Sequence, residues 1–266
     1  VAFEEGDSDQ PRKAESGGGV SGASELCANR EKAAACNWLT EPDSANGLCR
    51  ACCLTSVYPS QDAEIGRRSW ALSEQAKRRW LYTILQMGLQ ALPQTPQQKE
   101  GITFRILEPG KDKTSVLTGH ANGVITINAA ESDPVERLRR RTALEEPYRT
   151  LLGHFRHESG HYYWQLLIGS NDDLLADFRE IFGDERVDYA QSLEAHYSQT
   201  SPDSWDPAFV SHYAASHPWE DFAETWAHYM HICDVLDLAQ SWGLALPNYP
   251  QREIDNFAAQ ASEASG

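Results

Sequence analysis

The stretch His157-Glu158-Ser159-Gly160-His161 sets two imidazoles four residues apart, with a carboxylate beside the first. On a helix, residues four apart share a face, so His157 and His161 can present two ring nitrogens to one metal ion. Glu158 then stands where it can take a proton from water at that metal, as a general base. A zinc ion held by three protein groups keeps a fourth position open. His154, one turn earlier, reads as second-shell or core packing, because two helix positions and one remote ligand complete the usual set.

The third ligand must come from elsewhere. Glu185, His196 and the pair Glu220 and Glu224 are the candidates. The pair is preferred: Pro218 can open a helix, and two glutamates four apart share one face of it. One carboxylate can bind the metal while the other receives the free N–H of a ligand imidazole. Glu220 is taken as the ligand and Glu224 as the second shell, with the reverse assignment open. The flanking Trp219, Phe222, Ala223 and Trp226 point to a buried setting, where paired carboxylates need a cation. Glu185 and Asp188 also read as parts of an ion-pair network with Arg179 and Arg186.

Five of the six cysteines lie in the first 53 residues. Cys27, Cys36, Cys49 and Cys52 supply four thiols in two pairs, the donor set of a structural tetrahedral zinc. Disulfides or unpaired thiols are the alternatives, and disulfides require an oxidising compartment. Cys53 competes with Cys52 for the ligand role. Cys233, in an aromatic helical context, reads as a core residue.

These groups need elements to position them. A polar, Gly/Ser-rich lead covers 1–26, a cysteine knuckle 27–58, and the rest of the chain 59–266 forms one further domain. Helical spacing of apolar residues predicts helices over 67–92, 145–168, 172–182, 186–198, 218–237 and 251–263. Short β-branched runs at 102–107, 115–117 and 124–127, punctuated by Pro109-Gly110 and Asn122-Gly123, predict a small antiparallel sheet of three strands. The edge of the strand at 124–128 is expected to hold an extended peptide by strand addition. The fold class is α+β and mainly helical.

The 266 residues, 41% hydrophobic, can bury a sizeable core, and the formal net charge of −16 is repelled by phosphate backbones and anionic lipid. Arg137, Arg139, Arg140 and Arg141 make a local basic cluster, read as a solvated helix face offsetting nearby acids. No apolar run is long enough to span a membrane, and the first residues carry no secretory pattern. A cytoplasmic location is therefore expected.

The stretches Cys36-Asn37-Trp38-Leu39, Leu117-Thr118-Gly119-His120, Gly153-His154-Phe155-Arg156-His157-Glu158, Phe182-Gly183-Asp184-Glu185-Arg186 and Pro218-Trp219-Glu220-Asp221-Phe222-Ala223-Glu224 resemble a bacterial family of zinc-binding metallopeptidases with an N-terminal zinc ribbon. The likeness runs from about Cys27 to about Leu246. It implies a zincin-like fold, one catalytic zinc, a structural zinc in the ribbon, and a peptide or protein substrate. The catalytic segments also resemble the gluzincin group. That likeness implies Glu220 as third ligand and Tyr213, seven residues earlier, as the phenol that holds the oxyanion. From the residues alone Tyr213 is equally an ordinary packed aromatic, and His212 is another oxyanion donor. Two other functions fit parts of the sequence: a zinc-containing protein-binding module without catalysis, and a nucleic-acid role that the net charge opposes.

Overall fold

The computed structural model describes residues 24–42, 44, 46–109, 116–143, 149–198 and 206–244. The first strand, β1 (Thr55–Val57), leads from the cysteine knuckle into a long helix, α1 (Glu64–Gln86). Trp70, Trp80, Leu81 and Ile84 form its buried stripe. α1 ends earlier than the apolar pattern suggests. Gly88 adopts φ 73°, and Leu89 N–H turns back to Ile84 O at 3.1 Å. That left-handed C-terminal turn stops the helix although Leu89 continues the pattern.

Three strands follow: β2 (Thr103–Leu107), β3 (Gly119–Ala121) and β4 (Val124–Asn128). The sheet has four strands in the order β1-β2-β4-β3. β1 and β4 both run parallel to β2, and only β3 and β4 are antiparallel. The expected three-stranded antiparallel sheet is corrected accordingly. Its one local signal, Asn122-Gly123, does close a hairpin between β3 and β4, with φ 49° and 78°, as a two-residue turn of this kind demands. Parallel pairing is set by long connections and leaves no short-range signature. Of the strand expected at 115–117, Ser115 lies outside the described residues and Val116 and Leu117 are not in a strand; β3 forms at Gly119–Ala121, and β1 was not foreseen. β4 is paired on both sides, so it offers no edge to a peptide; the edge strands are β1 and β3.

The remaining helices are α2 (Pro134–Ala143), α3 (Leu151–Tyr163), α4 (Asp172–Phe182), α5 (Tyr189–Ser198) and α6 (Pro218–Ser241). Thr150 caps α3 by accepting Gly153 N–H at 2.9 Å, and a π-helical turn, Trp164–Ile168, extends it. Residues 145–148 of the expected 145–168 helix lie outside the described residues, as do residues 1–23 of the expected lead and the helix expected at 251–263. α5 begins at Tyr189 rather than 186 because Asp188 caps it, accepting Gln191 N–H at 2.8 Å.

Phe104 on β2 joins sheet to helices, with Trp80 of α1 at 5.1 Å and Phe155 of α3 at 5.3 Å between ring centres. Cys27, Cys36, Cys49 and Cys52 belong to the same buried cluster as Trp80, Phe104 and Phe155. The knuckle is thus continuous with the main core. α3 and α6 cross at Gly160. A Cβ there would lie 2.9 Å from Ala223 Cα, so the absent side chain permits the close approach. Around the arginine cluster, Arg140 pairs with Glu131 and Glu136, and α2 buries no residue. Among the described residues no helix is long and apolar enough to cross a membrane.

Candidate metal centre

The α3–α6 crossing brings three predicted groups together. One ligand atom from each of His157, His161 and Glu220 lies within 4.8 Å of the others. Glu220 Oε2 is 3.0 Å from His157 Nε2 and 3.5 Å from His161 Nε2. Zinc bonds of about 2.0–2.1 Å in a tetrahedron set donor separations near 3.3 Å, so the spacing suits the ion.

Glu224, one turn after Glu220, accepts His157 Nδ1–H at 2.8 Å and Ser211 Oγ–H at 2.8 Å. The proton on Nδ1 turns the Nε2 lone pair toward Glu220 Oε2, a fully buried oxygen without a hydrogen-bond donor among the described residues. Lone pairs facing each other in a buried place call for a cation. A second proton on the ring answers part of that demand. Burial opposes the charge, yet bonds and fields from Glu220 and Glu224 outweigh it and hold the His157 pKa well above the ordinary value. Burial likewise opposes ionisation of Glu220, and His157 and His161 overcome it, holding its carboxyl well below the carboxylate range. The donor set therefore fits a divalent ion.

Glu158 is buried on α3, and its charge is felt at His157, Tyr189 and Tyr213. Tyr213 follows Ser211 on a short 3-10 turn, its ring 6.0 Å from that of His157. Burial, reinforced by Glu220, raises its phenol far above the ordinary range, so it keeps its proton. His212 instead lies against His196, with ring centres 4.2 Å apart.

His154 faces away from the three converging groups. Its Nε2 is 3.2 Å from Glu131 Oε2, in a cluster with Arg149 and Arg140 that ties α3 and α2 to the end of β4. Its partner is a buried carboxylate and not a ligand imidazole, which leaves it the packing place within α3. Glu185 binds Arg179 at 2.9 and 2.5 Å, and Arg186 turns to Asp184. Two contributors escaped the sequence reading. Tyr189 donates to Glu220 Oε1 at 2.7 Å, and Ser211 supports Glu224. Both sit in stretches singled out for other residues, and neither follows a periodic pattern.

A second donor set forms in the knuckle. One sulfur from each of Cys27, Cys36, Cys49 and Cys52 lies within 4.8 Å of the others, all buried. Cys36 Sγ and Cys49 Sγ are 3.5 Å apart. That is far beyond a disulfide bond and near the roughly 3.8 Å set by four Zn–S bonds of about 2.3 Å. Cys49 N–H points to Cys27 Sγ and Cys52 N–H to Cys49 Sγ. Hydrogen bonding to Cys52, above all, pulls the Cys49 thiol down to about 5, while burial pushes Cys36 up to about 11. Cys53 stands apart, its Sγ on Arg50 O.

Residues 66–265 match the family described as "Putative zinc-binding metallo-peptidase", and residues 2–63 match a zinc-ribbon domain. The chain belongs to this metallopeptidase family. Zinc is the metal implied by the family and ribbon names and by the four-cysteine cluster. Similar proteins include an uncharacterized protein of Mycobacterium bovis and two of Mycobacterium tuberculosis, each 47% identical over 221 residues. The alignment covers 83% of this chain and 64% of each relative, so the chain spans less than two thirds of their length. No solved structure matches.

Proposed function

We propose that the chain is a zinc-dependent peptidase whose metal is held by His157, His161 and Glu220, with a second, structural zinc on Cys27, Cys36, Cys49 and Cys52. The reading rests on one observation above others: two imidazoles and a carboxylate converge at metal-ligand spacing while a second carboxylate fixes the tautomer of the first imidazole. When bound, zinc supplies Lewis acidity that polarises a peptide carbonyl and makes water a better nucleophile.

The chain's own groups do the rest. Glu158 takes a proton from the attacking water and returns it to the leaving amine. Tyr213, kept protonated, donates to the oxygen that gains charge. Glu224, braced by Ser211, holds His157 in register. The substrate is a peptide or protein segment laid along β3. In a two-residue hairpin the closing pair Ala121/Val124 is hydrogen-bonded, so the backbone N–H and C=O of His120 face outward for strand addition. Burial, with the charge of His161, lowers the His120 pKa to about 4, which keeps that ring neutral at the strand edge. A reducing, cytoplasmic setting suits the free knuckle thiols.

Glu158→Gln tests the reading. Zinc content is expected to stay at the wild-type value while peptide cleavage falls by about 10²-fold or more. Undiminished cleavage in that variant removes Glu158 as the base.

A further inference from the structure

Glu220 has two carboxylate oxygens in different surroundings. Oε2 faces His157 and His161 without a hydrogen-bond donor, whereas Oε1 accepts the Tyr189 hydroxyl at 2.7 Å. A glutamate with both oxygens free can chelate zinc through both, taking the position that water needs. An oxygen already engaged by a phenol is held back.

Tyr189 reaches that oxygen from a braced arm. Gly183 ends α4 at φ 97°, and Pro218 Cγ would touch a Cβ placed there at 3.6 Å. Arg179 grips Glu185 through two hydrogen bonds. His217 accepts Trp219 N–H at Nδ1, and its Nε2–H points to Val187 O at 3.3 Å. One residue thereby caps α6, which carries Glu220, and clamps the loop that leads into Tyr189 at the start of α5. The Tyr189 ring packs edge-on against His217, 5.1 Å between centres. His217, through its ring and its bond to Val187 O, thus holds Tyr189 against Glu220.

We propose that Tyr189 is a positioning residue that confines Glu220 to one-oxygen ligation and so keeps a coordination position open for water. The proposal deepens the peptidase reading and rests on its ligand set. Tyr189 acts through Glu220, so its effect is expected on kcat rather than KM.

The test uses the full chain with its knuckle metal left in place, the site of His157, His161 and Glu220 stripped with a mild chelator and refilled with Co(II). In Tyr189→Phe, cobalt is expected to remain bound and its visible absorption to weaken as the coordination number rises. kcat should fall about 10- to 100-fold at nearly constant KM. Tyr163→Phe removes a comparable hydroxyl bond, to Gln90 O at 2.9 Å, and is expected to leave the spectrum unmoved. A Tyr189→Phe chain with the wild-type spectrum and kcat overturns the proposal. Should that variant not fold, X-ray absorption at cobalt in the unmutated chain decides: one Glu oxygen supports the proposal and two overturn it. An unmutated chain that takes no cobalt beyond the knuckle refutes the ligand set itself, and the proposal with it.

Discussion

Removing the Glu224 carboxylate separates a metal-positioning role from a merely structural one. Glu224 receives His157 Nδ1–H and Ser211 Oγ–H, each at 2.8 Å. In Glu224→Ala the ring loses the acceptor that fixes its tautomer and orientation. A hydrogen bond to a charged group contributes about 1.5–3 kcal/mol. With about 1.4 kcal/mol per factor of ten, zinc at His157, His161 and Glu220 should bind roughly 10- to 100-fold more weakly. Glu224→Gln keeps one acceptor oxygen and should lose less. Chelator competition on the full chain measures the weaker site, while elemental analysis counts the knuckle metal separately. The knuckle zinc should remain in both variants. A Glu224→Ala chain that holds its weaker metal within about twofold of wild type refutes the reasoning, as does equal loss from both sites.

Gly160→Ala should force α3 and α6 apart, since the new Cβ meets Ala223 Cα at 2.9 Å and Trp226 Cδ1 at 3.2 Å. A cost of about 1–3 kcal/mol should appear as a lower melting temperature together with weaker zinc binding, and unchanged values for both would show that the crossing is looser than described. Burial would raise the Glu131 pKa, but His154 and Arg149 pull it below its ordinary 4.5, to about 2. The resulting stability, about 3 kcal/mol, is present above pH 4.5 and lost as pH falls toward 2. Melting temperature against pH should show that acid slope in the wild type and not in Glu131→Gln, which should be the less stable of the two at pH 7. Cys49→Ala should release the knuckle zinc and lower the melting temperature of the whole chain by roughly 10 °C or more, because the knuckle shares the core of Trp80 and Phe104; a body that melts as before would show instead that the knuckle folds independently.

Local chemistry made much of the candidate site legible. His157 and His161 share a face by helical geometry alone, Glu220 and Glu224 do so on a second helix opened by Pro218, and Asn122-Gly123 marks its hairpin through backbone conformation. Each signal lies within a few residues of chain, where spacing and sterics decide the outcome. The four cysteines belong with them, because few arrangements other than a metal or disulfides suit so many thiols so close in sequence.

Tertiary packing decided the rest. Parallel pairing of β1 and β4 with β2, and hence the inner place of β4 with β1 and β3 at the edges, depends on contacts between segments far apart in the chain. His154 sits on the metal-bearing helix, yet its ring is claimed by Glu131 from another element. Tyr189 at the start of α5 and Ser211 just before a short 3-10 turn bear on the centre because the segments leading into them fold over it, and single polar side chains at element ends leave no periodic trace. A repeat along one helix is written in the sequence, whereas a hydrogen bond between separate elements exists only after the core has packed.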